Sequence, residues 1–211
     1  HDSKAVANIV FKTLDIKKDL VFSQGPLDAL DHASPVDHYG YRLGVDATKK
    51  FPTEREDVAW DFTLAEPVAL NTYLEKQENI VDYHYPMSGK FQGALIVAMK
   101  KENNESPKQL IESLWYHEDM KYNKFLIIVD EDVNPKDVSN VAWKVFNNID
   151  ADRDLLISEV LGEKHFGHRL GIDATKKMRD QQHKREWPND IEMSEDIKEL
   201  VSKRWSEYGL E

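Results

Sequence analysis

The feature that most constrains the fold of this chain is an internal repeat. The stretch HYGYRLGVDATKK at 38–50 recurs as HFGHRLGIDATKK at 165–177, and ten of the 13 aligned positions are identical. Upstream, VFKTLDIKKDLVFS at 10–23 matches VFNNIDADRDLLIS at 145–158. Because a repeated unit folds in the same way each time, the fold must accommodate two copies of it. Each copy reads as a helix, a strand, a loop and a closing Asp-Ala-Thr-Lys-Lys corner.

The two copies cover about 3–50 and 136–177 of the chain. The upstream match aligns His1 with Lys136, which follows the apolar stretch KFLIIVD in the second copy. The first copy therefore lacks a strand that the second copy has. We expect residues 1–211 to form a single α/β domain that is a fragment of a longer polypeptide.

Composition narrows the classes of partner and site. The net charge of −11 argues against binding to nucleic-acid phosphates or anionic lipid, which attract basic surfaces. The absence of cysteine excludes disulfides, thiolate nucleophiles and Cys-based zinc sites. The sequence has neither an apolar run of membrane-spanning length nor a signal-peptide pattern. We expect a cytoplasmic protein with no nucleic-acid partner and at most peripheral membrane contact.

Apolar patterning predicts the order of strands and helices. Continuous apolar runs at 93–99 and 125–130 are typical of strands buried on both faces. Shorter strands are expected at 20–23, 80–85 and 155–158. Helices are expected at 3–14, at 66–77, after Ser106-Pro107, after Asn134-Pro135, and at 194–208. This alternation predicts an α/β fold with a parallel or mixed sheet covered by helices, a helix-strand-loop duplication and a C-terminal amphipathic helix.

The C-terminal helix carries its apolar residues on one side. They are Ile197, Leu200, Val201, Trp205 and Tyr208. A terminal helix with such a face docks either on its own domain or on a second subunit. Trp and Tyr are the residue types that anchor interfaces, but the residues alone are compatible with either docking.

The repeated corner has two readings. Its aspartate and two lysines could hold an anion. Alternatively, the Gly, Asp and Thr residues shape a turn and the lysines are solvated. We favour the second reading, because one active site rarely needs the same corner twice.

Two further groups of polar residues have the residue types of metal sites. The acidic run VDEDVN at 129–134 lacks the glycine and the terminal glutamate of a calcium loop, and acids there suit the start of the next helix. His165 and His168 lack a nearby third ligand, which makes a zinc site a weak prospect. We therefore predict no metal site. Dinucleotide, Walker, G-x-S-x-G and H-E-x-x-H motifs are also absent.

Several stretches in order resemble the C-terminal domain of the UbiD decarboxylases. KFLIIVDEDVNPKDVSNVAWKVFNNIDADRD at 124–154 is similar to the family's strand, acidic turn, helix and D-P-x-R-D turn. GPLDALDHASPVDHYGYRLGVDATKKFP at 25–52 resembles its L-D-x-A-S-P loop and D-A-T-x-K corner, and REWP at 185–188 resembles the segment before its last helix. In typical members, however, the loop and the corner occur once, after the acidic turn.

The resemblance implies a parent enzyme that removes carboxylate from aromatic or α,β-unsaturated acids. Its cofactor would be prenylated FMN, together with a divalent metal and potassium, and its pathway ubiquinone or menaquinone biosynthesis. The family's catalytic residues and most of its flavin ligands lie in an upstream domain of the same chain. The resemblance thus implies that this chain supplies no catalytic residue and, alone, is inactive and binds no cofactor.

The resemblance also implies roles for individual residues. Lys101, just after the apolar run at 93–99, matches a lysine that contacts the flavin phosphate, although Lys100 beside it is an equal candidate by chemistry. Residues of the L-D-x-A-S-P loop would form part of the active-site wall; these are Asp28, Asp31, His32 and Ser34. Because the resemblance implies oligomers, we favour docking of the C-terminal helix on a second subunit and expect a homo-oligomer. An alternative function is a non-catalytic module for self-association.

Overall fold

The computed structural model describes most of the chain. The described residues are 14–27, 32–34, 39–48, 51, 67–86, 93–159, 168–181, 183–189 and 193–209. Of the sequence predictions, almost all of the helix at 3–14, the wall residues Asp28 and Asp31, and His165 lie outside these ranges.

A five-stranded mixed sheet forms the centre of the fold, with strand order β3-β4-β5-β7-β6. Its strands are β3 (Ile80–His84), β4 (Ala94–Met99), β5 (Phe125–Asp130), β6 (Leu155–Ile157) and β7 (Leu170–Asp173). The three central strands are parallel, and both outer strands are antiparallel to their neighbours. β4 is buried throughout because its residues are apolar and both sheet faces are covered. The predicted mixed sheet covered by helices is therefore confirmed.

The described residues include four α-helices. They are α1 (Val68–Glu75), α2 (Ser106–Trp115), α3 (Val138–Asn148) and α4 (Glu195–Lys203). Short 3-10 turns follow α2 and α4, at Glu118–Tyr122 and Trp205–Tyr208. Apolar residues of α1 and α2 form one buried cluster with the sheet, and those of α3 belong to a second cluster. None of the helices in the described part of the chain has the length and apolar character needed to cross a membrane.

The starts of two helices differ from the predicted caps. The Ser106 hydroxyl accepts hydrogen bonds from the preceding Glu102 and Asn103 amides, instead of capping the helix that begins at Ser106. Further along, α3 begins at Val138 and is capped by Asp137, whose carboxylate accepts from the Asn140 amide at 3.1 Å. The predicted start at Asn134-Pro135 is thus wrong, because the Asn134 side chain closes a turn onto the Lys136 amide.

The first copy of the repeat contributes a two-stranded antiparallel ribbon, made of β1 (Leu20–Pro26) and β2 (Tyr39–Val45). Leu20 of the ribbon joins the same buried cluster as α3, together with Leu14 and Ile16 from the segment before it. The second copy forms the hairpin of β6 and β7. Leu20 pairs with Val45 in the ribbon as Leu155 pairs with Ile172 in the hairpin.

Equivalent hydrogen bonds close the two corners. The Asp46 amide donates to the Asp19 carbonyl at 2.8 Å, and the Asp173 amide donates to the Asp154 carbonyl at 2.9 Å. Likewise, the hydroxyls of Thr48 and Thr175 each donate at 2.6 Å to the aspartate two residues earlier. The Asp and Thr residues therefore shape a turn in both copies, as the favoured reading predicts, whereas Gly44 and Gly171 lie within strands β2 and β7.

Candidate functional site

Polar side chains gather where the parallel strands β4, β5 and β7 end. β4 is followed by Lys101, β5 ends at Asp130, and β7 leads into Thr175. The carboxyl edge of a parallel sheet is where α/β domains place ligand contacts, since the loops that follow the strands meet there. This edge is therefore the candidate site of the domain.

Lys101 crosses from the end of β4 to the second corner. Its ammonium donates to the Thr175 hydroxyl at 3.0 Å and to the Lys176 carbonyl. Burial, reinforced by the Lys177 ammonium, lowers the pKa of Lys101 to about 8, although Asp173 and Asp130 act in the opposite direction. Two of the three ammonium protons thus hold the corner, and the third has no acceptor among the described residues.

The carboxylate at the end of β5 binds the same corner. An oxygen of Asp130 accepts from the Lys176 amide at 2.8 Å, and burial raises the pKa of Asp130. The exposed Asp132 forms an ion pair with the Lys176 side chain at 3.2 Å. The acidic run therefore contacts the corner. Among the described residues, no group of three or more His, Asp or Glu side chains could hold a metal ion.

A buried ion network lies beneath the corner. Lys177 is 3.2 Å from Asp173 and 3.6 Å from Asp154, and its ammonium also donates to the carbonyls of Asp173 and Thr175. The favoured reading of solvated lysines is wrong for Lys177, which is 3% exposed. A buried ammonium needs such partners, because an unpaired charge in the interior carries a large desolvation cost.

Arg153 links this network to the loop of the first copy. Its guanidinium makes a bidentate pair with Asp154, with distances of 2.7 and 2.6 Å, and donates to the Ala33 carbonyl at 3.0 Å. Sequence reasoning missed Arg153 and Asp154 as members of the site. The sequence did contain a signal for them, because both residues lie in the D-A-D-R-D stretch at 150–154 that resembles the family's D-P-x-R-D turn.

Two of the four residues predicted to line the active site, His32 and Ser34, are described, and both are buried on either side of Ala33. The His32 ring makes edge contacts with Trp143 and Trp187, with centroid distances of 6.4 and 6.1 Å. Ala33, and not a predicted residue, makes the contact to Arg153. The predicted loop thus reaches the site through its backbone and through Arg153.

His183 is a second residue that sequence reasoning did not select. It is fully buried, its ring lies 5.4 Å from that of Trp187, and its Nδ1 is 3.3 Å from the Arg153 guanidinium. Burial, with the nearby Arg153 charge, lowers the pKa of His183 to about 4. A neutral imidazole therefore fits this position beside the Arg153 guanidinium. Through this contact, the segment before α4 packs against the site.

These features define an α/β domain with a polar site at the carboxyl edge of its sheet and an attached ribbon. The chain belongs to the UbiD family: residues 62–174, more than half of the chain, match the 3-octaprenyl-4-hydroxybenzoate carboxy-lyase C-terminal domain.

Relatives extend this finding. An uncharacterised protein of Archaeoglobus fulgidus is 32% identical over 158 residues, covering 71% of this chain and 33% of the relative. An uncharacterised protein of Aquifex aeolicus is 32% identical over 140 residues, with coverages of 63% and 29%. The chain thus spans about a third of the length of these relatives.

A solved structure shares the fold. The closed form of the vanillic acid decarboxylase of Sedimentibacter hydroxybenzoicus matches with a TM-score of 0.54 and 20% identity, over 67% of this chain and 31% of that one. Its open form with truncated ShVdcD gives a TM-score of 0.53 and 21% identity, over 68% of this chain and 32% of that one. At these identities the likeness concerns the fold alone.

Proposed function

We propose that this chain is the C-terminal domain of a UbiD-like carboxy-lyase, where it supplies assembly contacts and part of the active-site wall. The parent enzyme would carry out non-oxidative decarboxylation of an aromatic or unsaturated acid, in ubiquinone or menaquinone biosynthesis in the cytoplasm. The observation that carries this proposal is the Lys101 ammonium at the carboxyl edge of the sheet, whose third proton has no acceptor within the described ranges, in a chain of this family.

In this proposal, residues 1–211 form a single α/β domain that receives an upstream flavin-binding domain of the same polypeptide. The relatives are about three times as long as the matched region, which leaves room for such a domain. The catalytic residues would lie upstream, so the domain alone is expected to be inactive and to retain no cofactor.

In the part of the chain that the structure describes, the residues fit one contact to a prenylated FMN. Lys101 can offer its third proton to a phosphate oxygen, and an approaching anion would offset the cost of burying its charge. The nearby charges Lys101, Lys177 and Arg153 are balanced by three carboxylates, those of Asp130, Asp154 and Asp173. The flavin, when bound, would supply the bond-breaking chemistry, and this domain would position its phosphate.

The metal and potassium of the parent enzyme would be held elsewhere, since no three acidic or His side chains in the described ranges converge on a point. His32 and Ser34, with Asp28 and Asp31, would line the cavity from the loop of the first copy. Arg153 would hold this loop against the corner by its bond to the Ala33 carbonyl.

The test is flavin retention by the intact gene product. Lys101→Ala should lower the flavin content after gel filtration at least about tenfold, because a charge-assisted phosphate contact contributes more than about 1.4 kcal/mol. The matched control is Lys100→Ala, because Lys100 is adjacent but exposed. Retention equal to wild type in Lys101→Ala, or an equal loss in both variants, would refute the assignment.

A second candidate, a non-catalytic self-association module, is favoured by the exposed apolar face of α4. Leu200 is 48% exposed and Trp205 is 53% exposed. An intact gene product that self-associates but never acquires flavin would support the module and contradict the enzyme.

A further inference from the structure

One face of the first-copy ribbon is bare among the described residues, whereas the equivalent face of the second copy is covered by a helix. In the second copy, α2 packs so closely on β7 that a β-carbon at Gly171 would lie 2.5 Å from Ile111 Cγ2 and 3.2 Å from Trp115 Cζ2. At the equivalent Gly44, the nearest atoms belong to Val21, at 3.6 and 3.7 Å. Val21 itself is 60% exposed.

In the second copy, an arginine also contacts the end of helix α2. Arg169 lies over the Trp115 ring at 5.3 Å and donates to the Trp115 carbonyl at 3.0 Å. This contact complements the negative end of the α2 dipole. The repeat retains the arginine as Arg42, which is exposed in the ribbon. The ribbon thus has the same glycine and arginine that contact α2 in the second copy, but within the described ranges no helix covers them.

The chain also carries a helix with the matching pattern. α2 reads Leu-Ile-x-x-x-Trp at 110–115, and α4 with its following turn reads Leu-Val-x-x-x-Trp at 200–205. α2 ends at Trp115 and a 3-10 turn follows it at Glu118–Tyr122, whereas Trp205 is itself the first residue of the 3-10 turn after α4. α4 has no buried residue, so its apolar face is unpartnered within the described part of this subunit.

We infer that α4 of a second copy of this chain docks on the bare ribbon face. Val201 would lie against Gly44 as Ile111 lies against Gly171, and the Trp205 ring would stack on the Arg42 guanidinium. Arg42 would also complement the carbonyl end of α4. A two-fold dimer forms this contact twice and covers both exposed surfaces of each chain.

One position of α4 departs from the α2 pattern. Arg204 stands where α2 has Leu114, which is buried in the cluster shared with β4 and β5. Those two strands have no described counterpart beside the ribbon. A residue at this position would therefore project past the ribbon into solvent, where arginine is suitable. The inference extends the assembly role proposed above and does not depend on the flavin contact.

The chain has no cysteine, so single-cysteine variants of the full chain can test the contact directly. Gly44→Cys and Val201→Cys are mixed under mild oxidation, and they should form a cross-linked heterodimer, because the inferred contact would bring their β-carbons within disulfide reach. The matched control replaces Gly44→Cys with Gln24→Cys, at another exposed position of the ribbon. We expect about tenfold less heterodimer from the control mixture, since collisions alone do not align the β-carbons.

Sedimentation velocity gives an independent measurement. Gly44→Leu should raise the dimer dissociation constant at least about tenfold, as expected for blocking an interface anchor, and Gln24→Leu should leave it unchanged. A double variant, Gly44→Cys with Val201→Cys, that cross-links within one chain at high dilution while the mixture gives no heterodimer would overturn the inference. No cross-link in either sample would also overturn it. Flavin retention by the intact gene product is measured separately, so either proposal can fail alone.

Discussion

Replacing Gly171 by alanine should destabilise the domain, whereas the same change at the equivalent Gly44 should not. The added methyl at 171 would lie 2.5 Å from Ile111 Cγ2, on a β-branched side chain that is stiff and fully buried. Helix α2 would therefore have to move away from β7. Overpacking of this kind costs about 1–3 kcal/mol, and removing a strand glycine recovers about 0.5–1 kcal/mol. With so short a contact, we expect a net loss of about 2 kcal/mol.

At Gly44 the methyl meets no atom of the described residues closer than 3.6 Å, so only the gain from removing glycine applies. Stability is measured by urea unfolding, followed by far-UV circular dichroism, with dilute protein so that subunit association does not contribute. Gly171→Ala should lower the unfolding midpoint, and Gly44→Ala should leave it unchanged or raise it slightly. A free energy of unfolding for Gly171→Ala within about 0.5 kcal/mol of wild type would refute the packing argument.

Three further predictions concern buried charges. Lys177→Met should cost about 3–5 kcal/mol in urea unfolding, because Asp154 and Asp173 lose a buried partner; a loss below about 1 kcal/mol would contradict this. Because the folded pKa of Lys101 is about 8, against an ordinary 10.5, the unfolded chain binds more protons between these values and stability should rise with pH there. Lys101→Met should remove that rise, and a pH profile of stability that is the same in this variant as in wild type would contradict the lowered pKa of Lys101. The folded pKa of His183 is about 4, against an ordinary 6.5, so stability should fall as pH drops from 6.5 to 4; an imidazole titration by NMR near 6.5 would contradict this.

Apolar runs predicted the centre of the sheet well. The runs at 93–99 and 125–130 became β4 and β5, because a doubly covered strand buries every residue of such a short run. The helix starts were predicted less well. Asn134 and Asp137 both have side chains that can cap a helix, and only the tertiary position of the chain decides which one does so.

The composition of the site was harder to predict. Lysine is ordinarily a surface residue, so no local pattern indicates that Lys177 is buried. Its burial depends on Asp154 and Asp173, which meet only when the second hairpin has formed. By contrast, Lys101 was selected through its match to a family lysine, because its place after the apolar run of β4 leaves the neighbouring Lys100 an equal candidate by chemistry.

The duplication provides the corner twice but the candidate site only once. In both corners an aspartate holds the threonine two residues later, so each turn is closed by its own residues. At the second corner, Thr175 also accepts a hydrogen bond from Lys101 at the end of β4. The first corner is exposed at Thr48, and no further strand in the described ranges pairs with the ribbon to bring a lysine there. The repeated sequence therefore specifies a turn, and Lys101, which makes the second corner part of the candidate site, comes from outside the repeat.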